Sequence, residues 1–129
     1  MAKKYLNDLG VNDTMINLDP KDKRWRRWNQ QKKMYGFADY ETYQMDYTFY
    51  CWLYEHLMMY LEVAKIIDLD EYKFYYDGEE YTQREMIYKM IRGCKIAITK
   101  SWGDMTDEEK QEVTDAPFLW AKVIPVMNW

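Results

Sequence analysis

Few residues in this chain of 129 have side chains suited to acid–base or nucleophilic chemistry. The chain contains one histidine, His56, and two cysteines, Cys51 and Cys94. Cys51 precedes His56 by five residues, so on a helix the two side chains point well apart, and a Cys–His pair would need Cys94 to approach from another element. Both cysteines lie in apolar helical patterns, which is typical of buried, reduced thiols. We therefore expect no catalytic residue, and the protein is predicted not to be an enzyme.

The sequence also lacks motifs that bind phosphate, dinucleotides or zinc. There is neither a glycine-rich phosphate loop nor an H-E-x-x-H pair, and the five glycines are scattered. The carboxylates of Asp39, Glu41 and Asp46 have the oxygen ligands that a hard cation prefers and could gather one. Asp39 is better explained as a helix cap, and Glu41 as a favourable charge in the first helical turn. We expect no metal and no cofactor.

Asp46 raises a separate question, because it lies in the most aromatic part of the chain, residues 41–62. Helical spacing places it on one face with Tyr43 and Leu53. An ionised carboxylate on a buried face requires hydrogen-bond partners, since its desolvation costs several kcal/mol. The sequence predicts that Asp46 is a buried polar anchor that fixes the position of its helix. A functional acid is the alternative.

Charge is distributed unevenly along the chain. Residues 1–36 hold nine Lys/Arg and four Asp/Glu, a local charge of +5, whereas residues 37–129 hold nine and eighteen, a local charge of −9. Trp25 and Trp28 lie three residues apart within the basic stretch, so they share a helix face and resemble core anchors. Nucleic-acid binding, by phosphate neutralisation and base stacking, is the alternative. Its residues would be Lys21, Lys23, Arg24, Arg26, Arg27, Lys32 and Lys33.

The elements that would position these residues are mainly helical. Asp19 and Pro20 predict the start of a basic helix that ends at Gly36. Asp39 predicts the cap of a long helix over about residues 40–65. That helix is apolar on nearly every side, as is typical of a central helix contacted from several directions.

The second half of the chain carries turn and cap signals. Asp77-Gly78, flanked by aromatic residues, predicts a β-hairpin over about residues 72–81. The stretches T-Q-R-E from Thr82 and T-D-E-E from Thr106 are capping boxes, the second opening a helix over about 107–114 with a restart near Pro117. Gly93 within the first of these helices indicates close packing.

The sequence thus predicts a mainly α protein with one domain over residues 1–129. Its core is a three- to four-helix bundle around the helix at about 40–65, with one short hairpin at about 72–81. Residues 1–18 are predicted to be a lead segment that is only partly ordered. Its apolar contacts would come from Leu6, Leu9, Met15, Ile16 and Leu18.

Several stretches match a pattern of a Gly-Phe-x-Asp turn, an aromatic residue, Leu-Asp, and a final Phe-Ala-Lys helix that closes on Trp. Over about residues 24–129 the chain resembles a group of small, largely uncharacterised tailed-phage proteins. Tyr43 and Met45 depart from the Trp and Leu of that pattern. The resemblance implies phage origin and expression in a bacterial cell, and it carries no catalytic residue. The matching residues are Gly36, Phe37, Asp39, Tyr43, Met45, Asp46, Trp120, Ala121, Lys122 and Trp129.

The leading prediction is a non-enzymatic phage protein of the host bacterial cytoplasm that binds a host or phage protein. The acidic remainder of the chain could inhibit a host defence complex, as anti-CRISPR proteins do, by mimicking phosphate charge. A virion or assembly component and a nucleic-acid-binding protein are the alternatives, and the oligomeric state is open. The predicted contact residues are aromatic or acidic: Trp52, Tyr72, Tyr75, Tyr88, Asp70, Glu71, Glu79, Glu80, Asp107, Glu108 and Glu109.

Overall fold

The computed structural model describes residues 4–11, 19–64 and 68–127. In this part of the chain the fold is mainly α with one short antiparallel hairpin, which confirms the predicted fold class. Short 3-10 turns cover Asp39–Thr42, Trp102–Asp104 and Ile124–Val126. The regular elements are α1 Lys4–Asp8, α2 Lys23–Tyr35, α3 Met45–Val63, β1 Lys73–Tyr76, β2 Glu79–Thr82, α4 Gln83–Thr99 and α5 Asp107–Val123.

Helix α4 lies between α3 and α5 and supplies much of the core. Its side chains Met86, Ile87, Met90 and Cys94 are fully buried, at the spacing expected for one helical face. Helix α3 adds Leu53 and its neighbours from one side, and α5 packs on the other. Since α4 follows β2 directly, the hairpin is held at the first turn of this helix.

The crossing of α4 and α5 depends on Gly93. A methyl group at this position would lie 2.5 Å from the backbone oxygen of Glu112 and 3.3 Å from the Cβ of Ala116. The two helix backbones therefore approach more closely than a side chain at residue 93 allows. The close packing predicted for Gly93 is confirmed.

The hairpin and the capping boxes form as predicted. Asp77 and Gly78 both have positive φ, 52° and 79°, as the tight two-residue turn requires. The backbone N–H of Thr82 donates to Glu85 at 2.9 Å, and that of Glu85 donates to the Thr82 hydroxyl at 3.2 Å. The same reciprocal pair opens α5 at Thr106.

Helix α5 continues through Pro117 to Val123, so the predicted end at residue 114 is wrong. Proline has no amide hydrogen to give to the carbonyl of Val113, four residues earlier. The hydroxyl of Tyr50 in α3 donates to that carbonyl instead, at 3.0 Å. A contact from another helix thus supports the continuous helix.

Helix α2 starts later than predicted but ends where expected. Its cap is Asp22, whose side chain accepts from the amide of Arg24 at 2.8 Å. Asp19 accepts from the amide of Lys21 at 2.9 Å, so Asp19 and Pro20 belong to the turn before the helix. At the other end Gly36 has a φ of 87° and donates its amide to Lys32, which confirms the predicted terminus.

The start of α3 changes the position of Asp46. Because residues 39–42 form a 3-10 turn, the helix begins at Met45, and Asp39 does not cap it. Asp46 therefore lies in the first turn and is exposed, and Tyr43 is 88% exposed. The prediction of a buried polar anchor at Asp46 is wrong. Its carboxylate is solvated, and it lies at the positive end of the α3 dipole, where a negative charge is favourable.

The first helix packs against α3. Tyr5 and Leu6 are buried, and the carboxylate of Glu55 accepts from both of their backbone amides, at 3.3 and 2.9 Å. The hydroxyl of Tyr5 also donates to Glu62. Residues 4–11 of the lead segment are thus attached to the core. The predicted contacts of Met15, Ile16 and Leu18, and the matching residue Trp129, lie outside the described residues.

Candidate protein-binding surfaces

The outer face of the hairpin carries exposed aromatic and charged side chains. Tyr75 pairs with Glu80 across the two strands and is 69% exposed. Phe74 and Tyr81, which pair on the opposite face, pack against the core. Because side chains alternate along a strand, core packing of Phe74 directs Tyr75 outward.

An ion pair holds the loop before β1 against the start of α4. The guanidinium of Arg84 lies 3.3 Å from Asp70 and hydrogen-bonds with Tyr88, and these contacts, Tyr88 first, raise the pKa of Arg84. The amide of Arg84 also donates to the carbonyl of Leu69 at 3.0 Å. Seven of the predicted contact residues, all exposed, lie on the hairpin, this loop or the first turns of α4, and we call them the tyrosine–carboxylate surface: Asp70, Glu71, Tyr72, Tyr75, Glu79, Glu80 and Tyr88.

The other predicted contact residues lie on different elements. Trp52, on α3, stacks on His56 with ring centroids 4.2 Å apart and meets the edge of Trp120 at 6.0 Å. Asp107 and Glu108 are exposed in the first turn of α5.

Glu109 differs from its acidic neighbours in α5. Its side chain is only 17% exposed and binds Lys100 at 2.6 Å. That bond, together with backbone donation from Thr106, lowers the pKa of Glu109. The capping box and this ion pair already occupy the Glu109 carboxylate, so Glu109 is less accessible than Asp107 and Glu108, and its contact with a partner stays a prediction.

Several cations of the predicted nucleic-acid site are engaged within the chain. Arg24 pairs with Asp22 at 2.9 Å, Arg27 pairs with Asp39 at 3.2 Å, and Lys32 lies 5.7 Å from the ring centroid of Tyr40. The remaining four, which are exposed, are Lys21, Lys23, Arg26 and Lys33. These contacts hold part of the positive charge close to the protein's own carboxylates and rings.

Asp39 is the centre of a hydrogen-bond network that sequence analysis missed. One carboxylate oxygen accepts from the indole N–H of Trp28 at 2.9 Å, and the other accepts from Gln31 at 3.1 Å. Gln31 accepts the Asp39 amide in return at 2.9 Å. The bond with Gln31, and then those with Trp28 and Arg27, lower the pKa of Asp39. The network fixes α2 against the following turn and buries Trp28, so Trp28 is not available for base stacking.

Further exposed apolar side chains lie at the end of α2, in the turn after it and at the start of α3. The sequence placed Tyr43 on a buried face with Asp46, but Tyr43 is 88% exposed, so this prediction is wrong. Tyr43 precedes α3, because the 3-10 turn delays the start of that helix, and Tyr47 in the first turn of α3 is exposed as well. Exposed apolar clusters on soluble domains often mark interaction surfaces. The members of this group are Met34, Tyr35, Phe37, Tyr43, Met45 and Tyr47.

Cys94 and His56, the thiol and the imidazole considered for a Cys–His pair, lie in different environments. Cys94 is fully buried, and burial raises the pKa of its thiol to about 12, so it stays protonated at neutral pH. His56 is exposed, and its Nδ1 donates to the carbonyl of Trp52, 2.7 Å away. Among the described residues there is no cluster of three or more His, Cys, Asp or Glu side chains placed to hold a metal ion. Glu41, one of the carboxylates considered for such a site, binds the amide of Ala38 at 2.7 Å.

No helix in the described ranges has the length and apolarity needed to cross a membrane. Comparison with family models, with curated proteins and with solved structures gave no match.

Proposed function

We propose that this protein acts by binding another protein, without catalysing a reaction, and that the tyrosine–carboxylate surface is its contact face. The observation that carries the proposal is the exposure of Tyr72, Tyr75 and Tyr88 on or beside regular elements whose positions are fixed by packing and by the Arg84 contacts. Tyrosine offers a large contact area at a small cost in conformational entropy, and it is enriched in interfaces.

The charge of this surface indicates the kind of partner. Four carboxylates, those of Asp70, Glu71, Glu79 and Glu80, belong to this surface. Glu80 pairs with Tyr75 on the outer face of the hairpin, whereas Glu79 pairs with Tyr76 on the other face. The pairing of Arg84 with Asp70 neutralises one of the four. The resulting negative potential favours a partner with a basic surface, and it would raise the association rate at low salt.

A phage-encoded inhibitor of a host defence complex fits this chemistry. Enzymes that act on nucleic acids carry basic channels, which an acidic surface can occupy in place of phosphates. The resemblance to tailed-phage proteins supports the phage origin and the bacterial cytoplasm as the place of action. These assignments belong to the proposal together with the binding face.

The test is affinity capture from a lysate of the bacterial host with matched variants. Tyr75→Ala combined with Glu80→Lys should reduce recovery of the partner by about thirtyfold, because a central interface residue typically contributes about 2 kcal/mol. The control combines Phe118→Ala with Asp104→Lys, which change an exposed aromatic residue of α5 and an exposed acid of the 3-10 turn before it. It should recover the partner as the unmodified protein does.

Equal recovery with both double variants would overturn the assignment of the binding face. Mass spectrometry of purified phage particles addresses the virion alternative, since detection of the chain there would replace the inhibitor proposal with an assembly role. A salt-sensitive band shift with nucleic acid, abolished by Arg26→Glu, would favour the basic helix instead.

A further inference from the structure

A cleft of about 480 Å³ lies at the end of α4 opposite the hairpin. Its walls come from the first turn of α3, the last turn of α4 and the 3-10 turn Trp102–Asp104, and Val113 of α5 also contributes. This volume is within the range of sites that take a small molecule or a side chain. Asp46 and Tyr47 line one side, and Lys100 and Trp102 line the other.

Asp46 supplies the negative charge among the residues that line the cleft. Asp46 is exposed, and Lys100 is already bound to Glu109 at 2.6 Å, so the pair adds little net charge. The last turn of α4, Ile96–Thr99, is uncharged and directs its carbonyl ends toward this region. The positive end of α3 is offset by Asp46 itself.

The aromatic walls suit a planar cation. Tyr47 and Trp102 are both exposed and line the cleft. The ammonium of Lys110, which is not among the lining residues, lies 5.4 Å from the centroid of the Trp102 ring, so this ring already attracts one cation. A guanidinium can stack on such a ring and pair with a carboxylate through two hydrogen bonds, whereas an ammonium acts as a point charge.

We propose that this cleft binds an arginine side chain of another polypeptide, with Asp46 as the carboxylate partner and Tyr47 and Trp102 as the walls. The site is separate from the tyrosine–carboxylate surface. The 17 residues of α4 separate the two by roughly 25 Å at the usual rise per residue. Its occupation does not depend on the partner proposed for the hairpin face.

The test is an NMR titration of ¹⁵N-labelled protein with N-acetyl-arginine N-methylamide. The ligand should shift the amides of residues 46–50 and 97–102 together with the indole of Trp102. The matched citrulline compound, which keeps the shape and loses the charge, should bind at least tenfold more weakly. Asp46→Asn should weaken arginine binding by about tenfold, the effect of losing one charged hydrogen bond. Asp107→Asn, which removes another exposed first-turn carboxylate, should leave it unchanged.

Several results would overturn the proposal. One is a titration without shifts in the cleft, and another is equal binding of the arginine and citrulline compounds. Unchanged affinity in Asp46→Asn, with a spectrum that shows the native fold, would exclude Asp46 as the partner. Putrescine tests a free diamine as the source of the cation, and shifts with putrescine but not with capped arginine would contradict the assignment to a peptide side chain.

Discussion

Single residues in this protein satisfy backbone groups that belong to distant elements. Tyr50 of α3 donates to the Val113 carbonyl, which Pro117 leaves without its usual helical amide. Glu55 of α3 accepts from the amides of Tyr5 and Leu6 in the first turn of α1. Buried polar groups of the backbone need such partners, because an unsatisfied one costs about 1–3 kcal/mol. Tyr50 and Glu55 therefore connect α3 to α5 and to α1, respectively.

We predict that Tyr50→Phe destabilises the protein by about 1–3 kcal/mol, because it leaves the Val113 carbonyl without a donor. In a Pro117→Ala background, Tyr50→Phe should lower the free energy of unfolding distinctly less, since the amide restored at position 117 can bond to that carbonyl. Urea unfolding of the four proteins gives the coupling between the two positions. An equal loss in both backgrounds would show that the Tyr50 bond does not compensate for the proline. Tyr75→Phe, at an exposed tyrosine, should change stability by less than about 0.5 kcal/mol.

The packing of α4 against α5 depends on their close approach at Gly93. We predict that Gly93→Ala destabilises the protein by about 1–3 kcal/mol through overpacking against Glu112, although alanine favours a helix by roughly 1 kcal/mol. Gly103→Ala is the matched control, because a methyl group there meets nothing within 4 Å, and it should change stability by less than about 0.5 kcal/mol. Thermal or urea unfolding measures both. Equal effects of the two changes would contradict the packing argument.

The elements that the sequence predicts well are those whose signals are local. The turn at Asp77-Gly78, the cap at Thr82 and the terminus at Gly36 each depend on residues within four positions, so propensity and spacing are sufficient. The start of α3 is different. It depends on Asp39, whose partners Trp28 and Gln31 lie in α2, before the turn at Gly36. The chain reverses direction at this turn, and helical or strand periodicity does not predict such a contact.

The candidate sites also differ in whether local sequence signals predict them. Exposure of Tyr75 follows from strand alternation and a local turn, so the hairpin part of the tyrosine–carboxylate surface could be predicted from the sequence. Asp46 could not be placed correctly, because it shares a helical face with buried Leu53 and yet lies in the first turn of α3, which neighbouring elements leave exposed. The cleft that it lines with Lys100 and Trp102 is formed by residues more than fifty positions apart, which no spacing rule brings together.

For the molecule as a whole, tyrosines connect the hairpin to the helical core. Tyr76 of β1 donates to the carboxylate of Asp115 in α5 at 2.8 Å, and Gln111 donates to the same oxygen at 2.9 Å. Phe74 of β1 and Tyr81 of β2 also pack against the helical core. The hairpin and α5 are therefore expected to lose their native structure together. The global free energy of unfolding should then depend on whether the Tyr76 hydroxyl is protonated.

We predict that this coupling makes the protein sensitive to alkali. Burial, followed by the bond to Asp115, raises the pKa of Tyr76 from 10.0 to about 12. A raised folded-state pKa contributes stability that is fully present below pH 10, the unfolded value, and that is lost as the pH rises toward 12. For one group the free energy of unfolding then falls by at most about 1.4 kcal/mol per pH unit in that window. Urea unfolding at pH 9 and pH 11.5 should show this fall, and Tyr76→Phe should reduce it, whereas Tyr75→Phe on the outer face should not. A pH dependence that is identical in Tyr76→Phe and the unmodified protein would mean that the alkaline loss comes from other groups, such as Tyr50 and Tyr54, whose pKa values burial also raises.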